Sequence, residues 1–317
     1  MKLTTKTCIL SIVISILIFN TPSFAYDIII IKGRDIPPYR EAVKGFNSVL
    51  KANVHEYVIE PEFNDEGKGH AIIRGLKNHK TDLIFTLGSD ALALVEGEFR
   101  DTPIVFSFVL NPDAVIGAGG GSRRTNIIGI DMNIPPEEQF NAIMKIVPNV
   151  QRIAVIYDPS KTQPLIIEAE AAAKKLGITL AAKKIATKAE AINAISQMEG
   201  KADAIWMAPD ATAIIPESIE YMLLFSFRNK IPIIGISEKY VKNGALLALS
   251  FDSEDMGRQA GEAAAAMILE GLENRDIKNA PLLKPRKFRL SINLNTAEKM
   301  GINIPEKIIR QSDKVYR

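Results

Sequence analysis

Residues 27–51 have the sequence DIIIIKGRDIPPYREAVKGFNSVLK, which contains one complete strand–turn–helix unit. The four isoleucines at 28–31 form a short β-branched run closed by a Lys-Gly pair, as is typical of a buried strand. After two prolines, a helix is predicted over Tyr39–Lys51, with one apolar face formed by Ala42, Val43, Phe46, Val49 and Leu50. A strand followed by an amphipathic helix predicts a parallel sheet covered by helices.

The same alternation of strands and helices continues along the chain and restarts once, after the glycine-rich loop 117–122. Further strands are predicted at Val54–Ile59, Leu83–Leu87, Ile104–Val109, Ile127–Asp131, Arg152–Tyr157, Thr179–Ile185, Ala204–Met207, Pro232–Ile236, Ala245–Phe251 and Phe288–Asn293. Helices are predicted at Ala71–Leu76, Ala91–Val95, Glu137–Val147, Leu165–Leu176, Ala189–Met198, Pro216–Asn229 and Asp255–Leu272. The pattern predicts an α/β protein with two doubly wound parallel-sheet lobes.

Two such lobes need connections, and we place them near Asn133, at Ser250–Ser253 and at Leu282–Arg286. Lobe one is then predicted to contain residues 26–132 plus 253–283, and lobe two to contain residues 133–252 plus 284–317. Several crossings between lobes make a hinge with a cleft beside it.

The first 25 residues predict export. Lys2 and Lys6 precede an apolar stretch at Cys8–Phe19, and a polar segment ending in Ala25 follows, which is typical of a cleaved secretory signal. The alternative, an uncleaved anchor, is disfavoured because a membrane-spanning helix needs about 20 predominantly apolar residues. The mature chain is expected to begin at Tyr26 in the periplasm. Because Cys8 is the only cysteine, no lipid anchor on a mature cysteine is expected.

The composition disfavours several classes of function. Lys and Arg number 39 against 37 Asp and Glu, a net charge of +2, so no nucleic-acid partner is expected. The three histidines, at 55, 70 and 79, have no spacing typical of a metal site, and no metal or other cofactor is predicted. No P-loop follows Gly119–Gly121 and no G-x-S-x-G motif occurs, so the sequence offers no catalytic constellation.

A series of short motifs resembles the ABC transporter substrate-binding family with the periplasmic-binding protein type I fold. The motifs are Thr86–Ala91, Thr102–Pro112, Asn126–Ile130, Val147-Pro148, Arg152–Tyr157, Leu176–Ile178, Ala202–Ile205, Pro209-Asp210, Lys230–Ile233, Gly244–Leu246 and Asn295–Gly301. The chain departs from the family's usual Pro-Gly-Gly-Asn turn before Arg123–Asn126, and in the loop Lys32–Asp35. The resemblance therefore implies the fold, while the aromatic amino acids bound by some members are one candidate ligand class.

Ligands of open parallel sheets bind beyond the carboxyl ends of the strands, where loops lead into helices. Twelve residues at such ends are candidate ligand-binding residues: Gly33, Arg34, Gly88, Ser89, Asp90, Ser107, Phe108, Tyr157, Ser160, Asp210, Ser237 and Asp252. Backbone N–H groups at Gly88–Asp90 could hold an anion, or Ser89 and Asp90 could only cap a helix. Because strand residues alternate, Phe106 and Phe108 are expected to share one face and Ser107 the other.

Asp210 is the residue we most strongly expect to contact a ligand. An acidic group there suits an ammonium ligand, and the resemblance implies an Asp at this motif. The alternative is a helix cap before Ala211–Ile215. Asp252 is also a candidate hinge residue.

The resemblance implies a monomeric, non-enzymatic protein that closes around a small molecule, an amino acid or a related compound being one class. It further implies delivery to an ABC permease in the inner membrane. Two alternatives remain open from the residues: a periplasmic ligand sensor for a membrane kinase, and an exported α/β enzyme.

Overall fold

The computed structural model describes residues 26–60, 66–109, 112–116, 126–270 and 282–317. Several predicted features lie outside these residues. They are the signal segment 1–25, the glycine-rich loop 117–122 with the following residues 123–125, and the end of the helix predicted to reach Leu272.

The first lobe is built on a six-stranded sheet in the order β11-β5-β4-β3-β1-β2, in which every pairing is parallel. Its strands are β1 (Tyr26–Lys32), β2 (Ala52–Val58), β3 (Leu83–Leu87), β4 (Ile104–Ser107), β5 (Ile127–Ile130) and β11 (Leu282–Leu283). Its helices are α1 (Pro37–Asn47), α2 (Glu66–Leu76), α3 (Ser89–Glu98), α4 (Pro112–Ile116) and α10 (Ser253–Glu270).

The isoleucines of β1 show how this lobe is covered on both faces. Ile28 and Ile30 pack in a core cluster with residues of α1 and α10, whereas Ile29 and Ile31 pack in a second cluster with α2 and α3. All four side chains are at most 2% exposed. A strand buried on both faces explains why the sequence is continuously apolar instead of alternating.

The second lobe contains a seven-stranded sheet in the order β13-β12-β10-β9-β8-β6-β7. Its strands are β6 (Arg152–Tyr157), β7 (Thr179–Lys184), β8 (Ala204–Trp206), β9 (Ile233–Gly235), β10 (Leu247–Phe251), β12 (Phe288–Asn293) and β13 (Lys314–Tyr316). Its helices are α5 (Pro136–Ile146), α6 (Pro159–Leu176), α7 (Lys188–Ser196), α8 (Pro216–Asn229), α9 (Glu238–Lys242), α11 (Leu294–Met300) and α12 (Glu306–Gln311). The predicted class, α/β with two mainly parallel sheets, is confirmed.

Two differences from the sequence prediction concern strand direction and side-chain placement. Strand β12 runs antiparallel to β10, because the chain enters sheet two at the carboxyl end of β10, where Phe288 pairs with Phe251. Strand β4 ends at Ser107, and Phe108 has a left-handed backbone with φ of 60°. The prediction that Phe106 and Phe108 share one face is therefore wrong, since the turn at Phe108 breaks the alternation.

The two rings consequently have different surroundings. Phe106 is 2% exposed and its ring lies against Gly129 of β5, in the cluster that α2 and α3 cover. Phe108 packs instead beside the cluster that α1 and α10 cover. Phe106 is thus a core residue, and Phe108 is free to face the region between the lobes.

Within the residues that the structure describes, the chain passes three times between the sheets. Residues 131–135 connect β5 to α5, Asp252 separates β10 from α10, and residues 284–287 connect β11 to β12. Helix α10 belongs to the first lobe because it packs along α1 and under β3, β4 and β5. The two lobes therefore share three adjacent connections, which is the arrangement of a hinge.

Helices α1 and α10 approach until their backbones touch, and two glycines permit this. A Cβ atom on Gly257 would lie 1.8 Å from the carbonyl oxygen of Ala42, and one on Gly45 would lie 1.9 Å from that of Glu254. Neither oxygen belongs to a side chain that could rotate away. The contact therefore requires glycine at both positions.

Replacing Gly257 by alanine is expected to lower the free energy of unfolding by about 1–3 kcal/mol or more, because the added methyl group must push the helices apart. Urea denaturation measures the change. Gly75→Ala is the matched control, since that glycine lies in α2, has no left-handed φ, and has open space where the methyl group would lie. There alanine should be neutral or slightly stabilising. Equal losses in both variants would contradict the packing described.

Candidate functional site

A cleft of about 910 Å³ lies between the two lobes. The first lobe contributes Ile36, the first residues of α1 from Pro37 to Tyr39, Glu41 and Phe108. The hinge contributes Met132 and residues 250–253. The second lobe completes the lining with Glu238, Arg289, Ser291, Asp313 and Lys314. A concave space of this size enclosed by two lobes is where a small-molecule site is expected.

Two aromatic rings form the apolar wall of this cleft on the first lobe. The ring centroids of Tyr39 and Phe108 lie 5.3 Å apart, with an angle of 52° between the ring planes. The left-handed φ of Phe108 is uncommon for a bulky residue and is a form of local strain often found at functional sites. The strained turn places the Phe108 ring against Tyr39 instead of in the sheet core.

Three of the predicted residues influence Tyr39, one by contact and two by their charge. Gly88, with φ of 96°, lies so close that a Cβ atom there would be 2.5 Å from the Tyr39 Oη. Burial raises the pKa of Tyr39, the charge of Asp90 raises it further, and Arg34 opposes the increase. Tyr39, which the sequence analysis did not select, is thus in contact with Gly88 and in the electrostatic field of Asp90 and Arg34.

Charged side chains from both lobes also meet in the lining of the cleft. Arg289 of β12 lies 3.4 Å from a carboxylate oxygen of Glu41 on α1 and 3.5 Å from one of Asp252. Lys287 lies 3.0 Å from the other carboxylate oxygen of Asp252. The ion pair between Arg289 and Glu41 therefore joins the two lobes directly.

Asp252, which the sequence analysis identified as a candidate hinge residue, also begins α10. Its carboxylate accepts a hydrogen bond of 3.0 Å from the backbone N–H of Asp255. Burial alone would raise the pKa of Asp252, but this hydrogen bond, the ion pair with Lys287 and the charge of Arg289 together hold the pKa below its usual value. Asp252 is consequently a charged cap that ties the hinge to both lobes.

A smaller cavity of about 300 Å³ adjoins the cleft and shares Met132, Ser250 and Phe251 with it. Most of the remaining lining is apolar and comes from the carboxyl ends of β8 and β9 and from α6. These residues are Leu165, Met207, Pro209 and Ile236, with Ser237, Gln139, Asn133 and Ile134 completing the lining. The predicted residue Ser237 lies here, and its side chain does not cap α9.

The position of Gln139 in this wall is fixed by two hydrogen bonds. Its amide oxygen accepts from Trp206 Nε1 at 2.9 Å, and its amide nitrogen donates to the carbonyl of Ile134 at 3.0 Å. Trp206 is 1% exposed and packs edge-on against Phe140, with ring centroids 5.3 Å apart. The wall of the smaller cavity is therefore held rigidly to the core of the second lobe.

The predicted residues Tyr157, Ser160 and Asp210 gather in a hydrogen-bonded network at the ends of β6 and β8. Asp210 is 2% exposed and accepts four hydrogen bonds of 2.6–2.9 Å. The four donors are the backbone N–H groups of Asp158, Thr212 and Ala213 and the hydroxyl of Thr162. Both carboxylate oxygens of Asp210 thus hold two loops together.

Asp158, which the sequence analysis did not select, is the second carboxylate of this network. It accepts hydrogen bonds from the backbone and hydroxyl of Ser160 and from the hydroxyl of Thr212. These bonds hold the pKa of Asp158 below its usual value. Tyr157 is 2% exposed and its hydroxyl donates to Gln163. The network fixes the loops that follow β6 and β8, two neighbouring strands of sheet two.

The remaining three predicted residues end strands or begin helices of the first lobe. The backbone N–H of Gly33 donates to the carbonyl of Leu87, joining the ends of β1 and β3. Ser89 begins α3, whose N-cap is Gly88. Ser107 is fully buried at the end of β4, and its hydroxyl has no hydrogen-bond partner among the described residues.

Of the twelve predicted residues, then, Phe108 and Asp252 line the cleft and Ser237 lines the smaller cavity. The sequence analysis missed Tyr39, Glu41 and Arg289. Tyr39 and Glu41 belong to the helix that follows β1, so the strand-end rule could have found them had it extended one helical turn. Arg289 lies inside a strand, where the sequence carries no comparable signal.

Two further properties concern the described part of the chain. It contains no group of three or more His, Cys, Asp or Glu side chains placed to hold a metal ion. Within the same residues, no helix combines the length and the apolar character needed to cross a membrane.

Asp210→Asn is expected to destabilise the protein, because an amide nitrogen would replace an acceptor that now faces two donors. Each buried donor left unsatisfied costs about 1–3 kcal/mol. Asp101→Asn is the control, since Asp101 is exposed and makes no hydrogen bond with a described residue. Chemical denaturation of both variants measures the difference. An unchanged midpoint for Asp210→Asn would refute the bracing role.

A comparison with protein families matches residues 31–316 to the family described as ABC transporter substrate binding protein. A protein named tyrosine-binding protein, from Clostridioides difficile (strain R20291), is 26% identical over 242 residues, covering 75% of this chain and 68% of the relative. An uncharacterized protein of Rickettsia prowazekii (strain Madrid E) is 25% identical over 267 residues, covering 84% and 82%.

Solved structures share the fold. A ligand-free, open substrate-binding protein with adhesive properties from Clostridium difficile matches with a TM-score of 0.71 and 20% identity, over 92% of this chain and 99% of that one. An ABC domain from Streptococcus pneumoniae in complex with L-Trp matches with a TM-score of 0.54 and 21% identity, over 91% and 99%. These likenesses agree with the predicted periplasmic-binding protein type I-like architecture.

Proposed function

Because the chain belongs to the ABC transporter substrate binding protein family, we propose that it captures a small molecule in the cleft between its lobes and delivers it to an ABC permease. The observation that carries this proposal is a cleft of about 910 Å³ lined by both lobes and by the hinge. A ligand that contacts both lobes stabilises their closed arrangement, which a partner can distinguish from the open one.

The lining supports a ligand with both apolar and charged parts. Tyr39 and Phe108 offer ring faces on the first lobe, and Glu41, Asp252 and Arg289 add charges from the first lobe, the hinge and the second lobe. An amino acid or a related compound fits this combination. The relative named a tyrosine-binding protein supports the same ligand class.

In this proposal the two moving units are residues 26–132 plus 253–283 and residues 133–252 plus 284–317. The proposed binding residues are those that line the cleft and the adjoining cavity. Tyr157, Ser160 and Asp210 instead support the second-lobe loops through the hydrogen bonds described above.

The proposal is tested first by a thermal-shift screen of amino acids, nucleosides, sugars and small organic acids. A compound that binds only the folded protein adds about 2.7 kcal/mol of stability at 100 times its dissociation constant, which gives a clear shift. The bound compound should be recovered unchanged after long incubation. Turnover of the compound would contradict a pure binding function, and a screen without any shift would contradict the proposed capture.

Phe108→Ala is expected to weaken binding of the compound found in that screen by about tenfold, since it removes one of the two ring faces. Isothermal titration calorimetry measures the affinity. Phe227→Ala is the matched control because Phe227 is a partly buried aromatic residue of α8 that lies beneath Lys299 and does not line the cleft. If both variants bind equally well, the cleft wall is not the ligand site.

We further propose that the protein works as a monomer in the periplasm after its signal segment has been removed. Tyr26 is the first residue of β1 and pairs with Ala52, so cleavage after Ala25 would leave that strand complete. Mass spectrometry of the exported protein should give the mass of residues 26–317. A mass that retains residues 1–25, or a dimer in gel filtration with light scattering, would contradict this proposal.

A further inference from the structure

Arg289 occupies an unusual position among the cleft-lining residues. Its side chain is 37% exposed, and its two acidic neighbours, Glu41 and Asp252, are 3.4 and 3.5 Å away. Neither contact has the geometry of a hydrogen bond, so the guanidinium donates no hydrogen bond to any described residue. The ion pairs therefore position the guanidinium, while its N–H groups form no hydrogen bond with a described residue.

Arg286, three residues earlier, is an arginine with a structural role and serves as a comparison. Its guanidinium donates four hydrogen bonds of 2.8–3.3 Å, two to Glu262 and two to Asp255. These carboxylates raise the pKa of Arg286. Arg286 therefore uses its charge and four of its five donors within the hinge, in contrast to Arg289.

A planar guanidinium with free donors in a cleft is suited to a carboxylate, which it can bind through two parallel hydrogen bonds. The remaining charges of the lining restrict the ligand further. Four acidic residues, Glu41, Glu238, Asp252 and Asp313, line the cleft with two basic ones, Arg289 and Lys314. Lys287 pairs with Asp252 from outside the lining, so the carboxylates still outnumber the cations by one. A ligand with only negative charge would face this acidic excess, whereas a ligand that also carries an ammonium group would be attracted by it.

We infer that Arg289 binds the carboxylate of an α-amino acid and that Glu41, across the cleft on the first lobe, binds its ammonium group. This inference rests on the proposed function and assigns two residues of the same cleft that determine its ligand specificity. The side chain of the amino acid then has the rings of Tyr39 and Phe108 within the same lining. Recognition of both charged groups would favour a zwitterion over a simple acid.

The inference is tested by calorimetric titration with the twenty L-amino acids and with the carboxamide of each one that binds. The wild-type protein should bind the free acid about 10- to 100-fold more tightly than its amide, because the amide lacks the charge that Arg289 pairs with. Arg289→Gln should reduce this preference to near unity. Arg289→Lys should retain part of it, since lysine keeps the charge without the planar donors.

Arg258→Gln is the matched control. Arg258 also pairs with two carboxylates, those of Glu254 and Asp255 at 3.5 and 3.8 Å, but it lies on α10 and does not line the cleft. This variant should keep the wild-type preference for the free acid. Thermal unfolding of every variant without added compound separates a loss of binding from a loss of folding. The ratio of the wild-type affinities for acid and amide tests the inference even if a variant does not fold.

The outcomes separate the inference from the proposed function. Equal affinity of the wild type for acid and amide, or an unchanged ratio in a folded Arg289→Gln, overturns the role of Arg289. Binding of sugars or nucleosides without any amino acid also overturns it, while leaving capture of a small molecule intact. Binding of none of these compounds overturns the proposed function itself.

Discussion

The backbone contact between α1 and α10 is the constraint on which the arrangement of the cleft depends. Gly45 and Gly257 let the helices approach until a methyl group on either would meet a carbonyl oxygen. Helix α10 begins directly after the hinge residue Asp252, and α1 carries Tyr39 and Glu41 into the cleft. Because the helices cannot slide past each other, the distance between the hinge and the first-lobe wall is fixed by their contact.

Much of the fold could be predicted because burial on both faces leaves a strong signal. The bounds of β3, β6, α8 and β12 agree with the sequence prediction. The errors lie where the signal is weak. The direction of β12 depends on the lobe from which the chain enters the sheet, and the composition of the strand does not record this. Strand β13 has three residues and is too short and too exposed to show a period.

The candidate site was less predictable, for a different physical reason. The strand-end rule locates loops but cannot say which side chains of a loop point into space and which bond to the protein itself. Asp210 is the clearest example, since an acidic residue before a helix suits a ligand as well as a cap, and in the structure four donors occupy its carboxylate. The position of Arg289 in the cleft follows from the pairing of β12 with β10, in which Arg289 lies opposite Ser250. These strands are far apart in the chain, and one sequence does not reveal such a long-range contact.

The ion pair between Arg289 and Glu41 links ligand chemistry to the motion of the lobes. The two residues belong to opposite lobes, so any ligand that enters between them must replace their mutual attraction. A lone anion would satisfy Arg289 and leave Glu41 uncompensated, and a lone cation would do the reverse. A zwitterion supplies both partners at once, so each lobe exchanges its contact with the other for a contact with the ligand. Closure excludes water and lowers the local dielectric constant, so the contacts of Arg289 and Glu41 with the ligand both strengthen. For the same reason, a charge left without a partner in the closed cleft would cost more free energy. The proposed selectivity for amino acids and the closure of the lobes would then have one electrostatic origin.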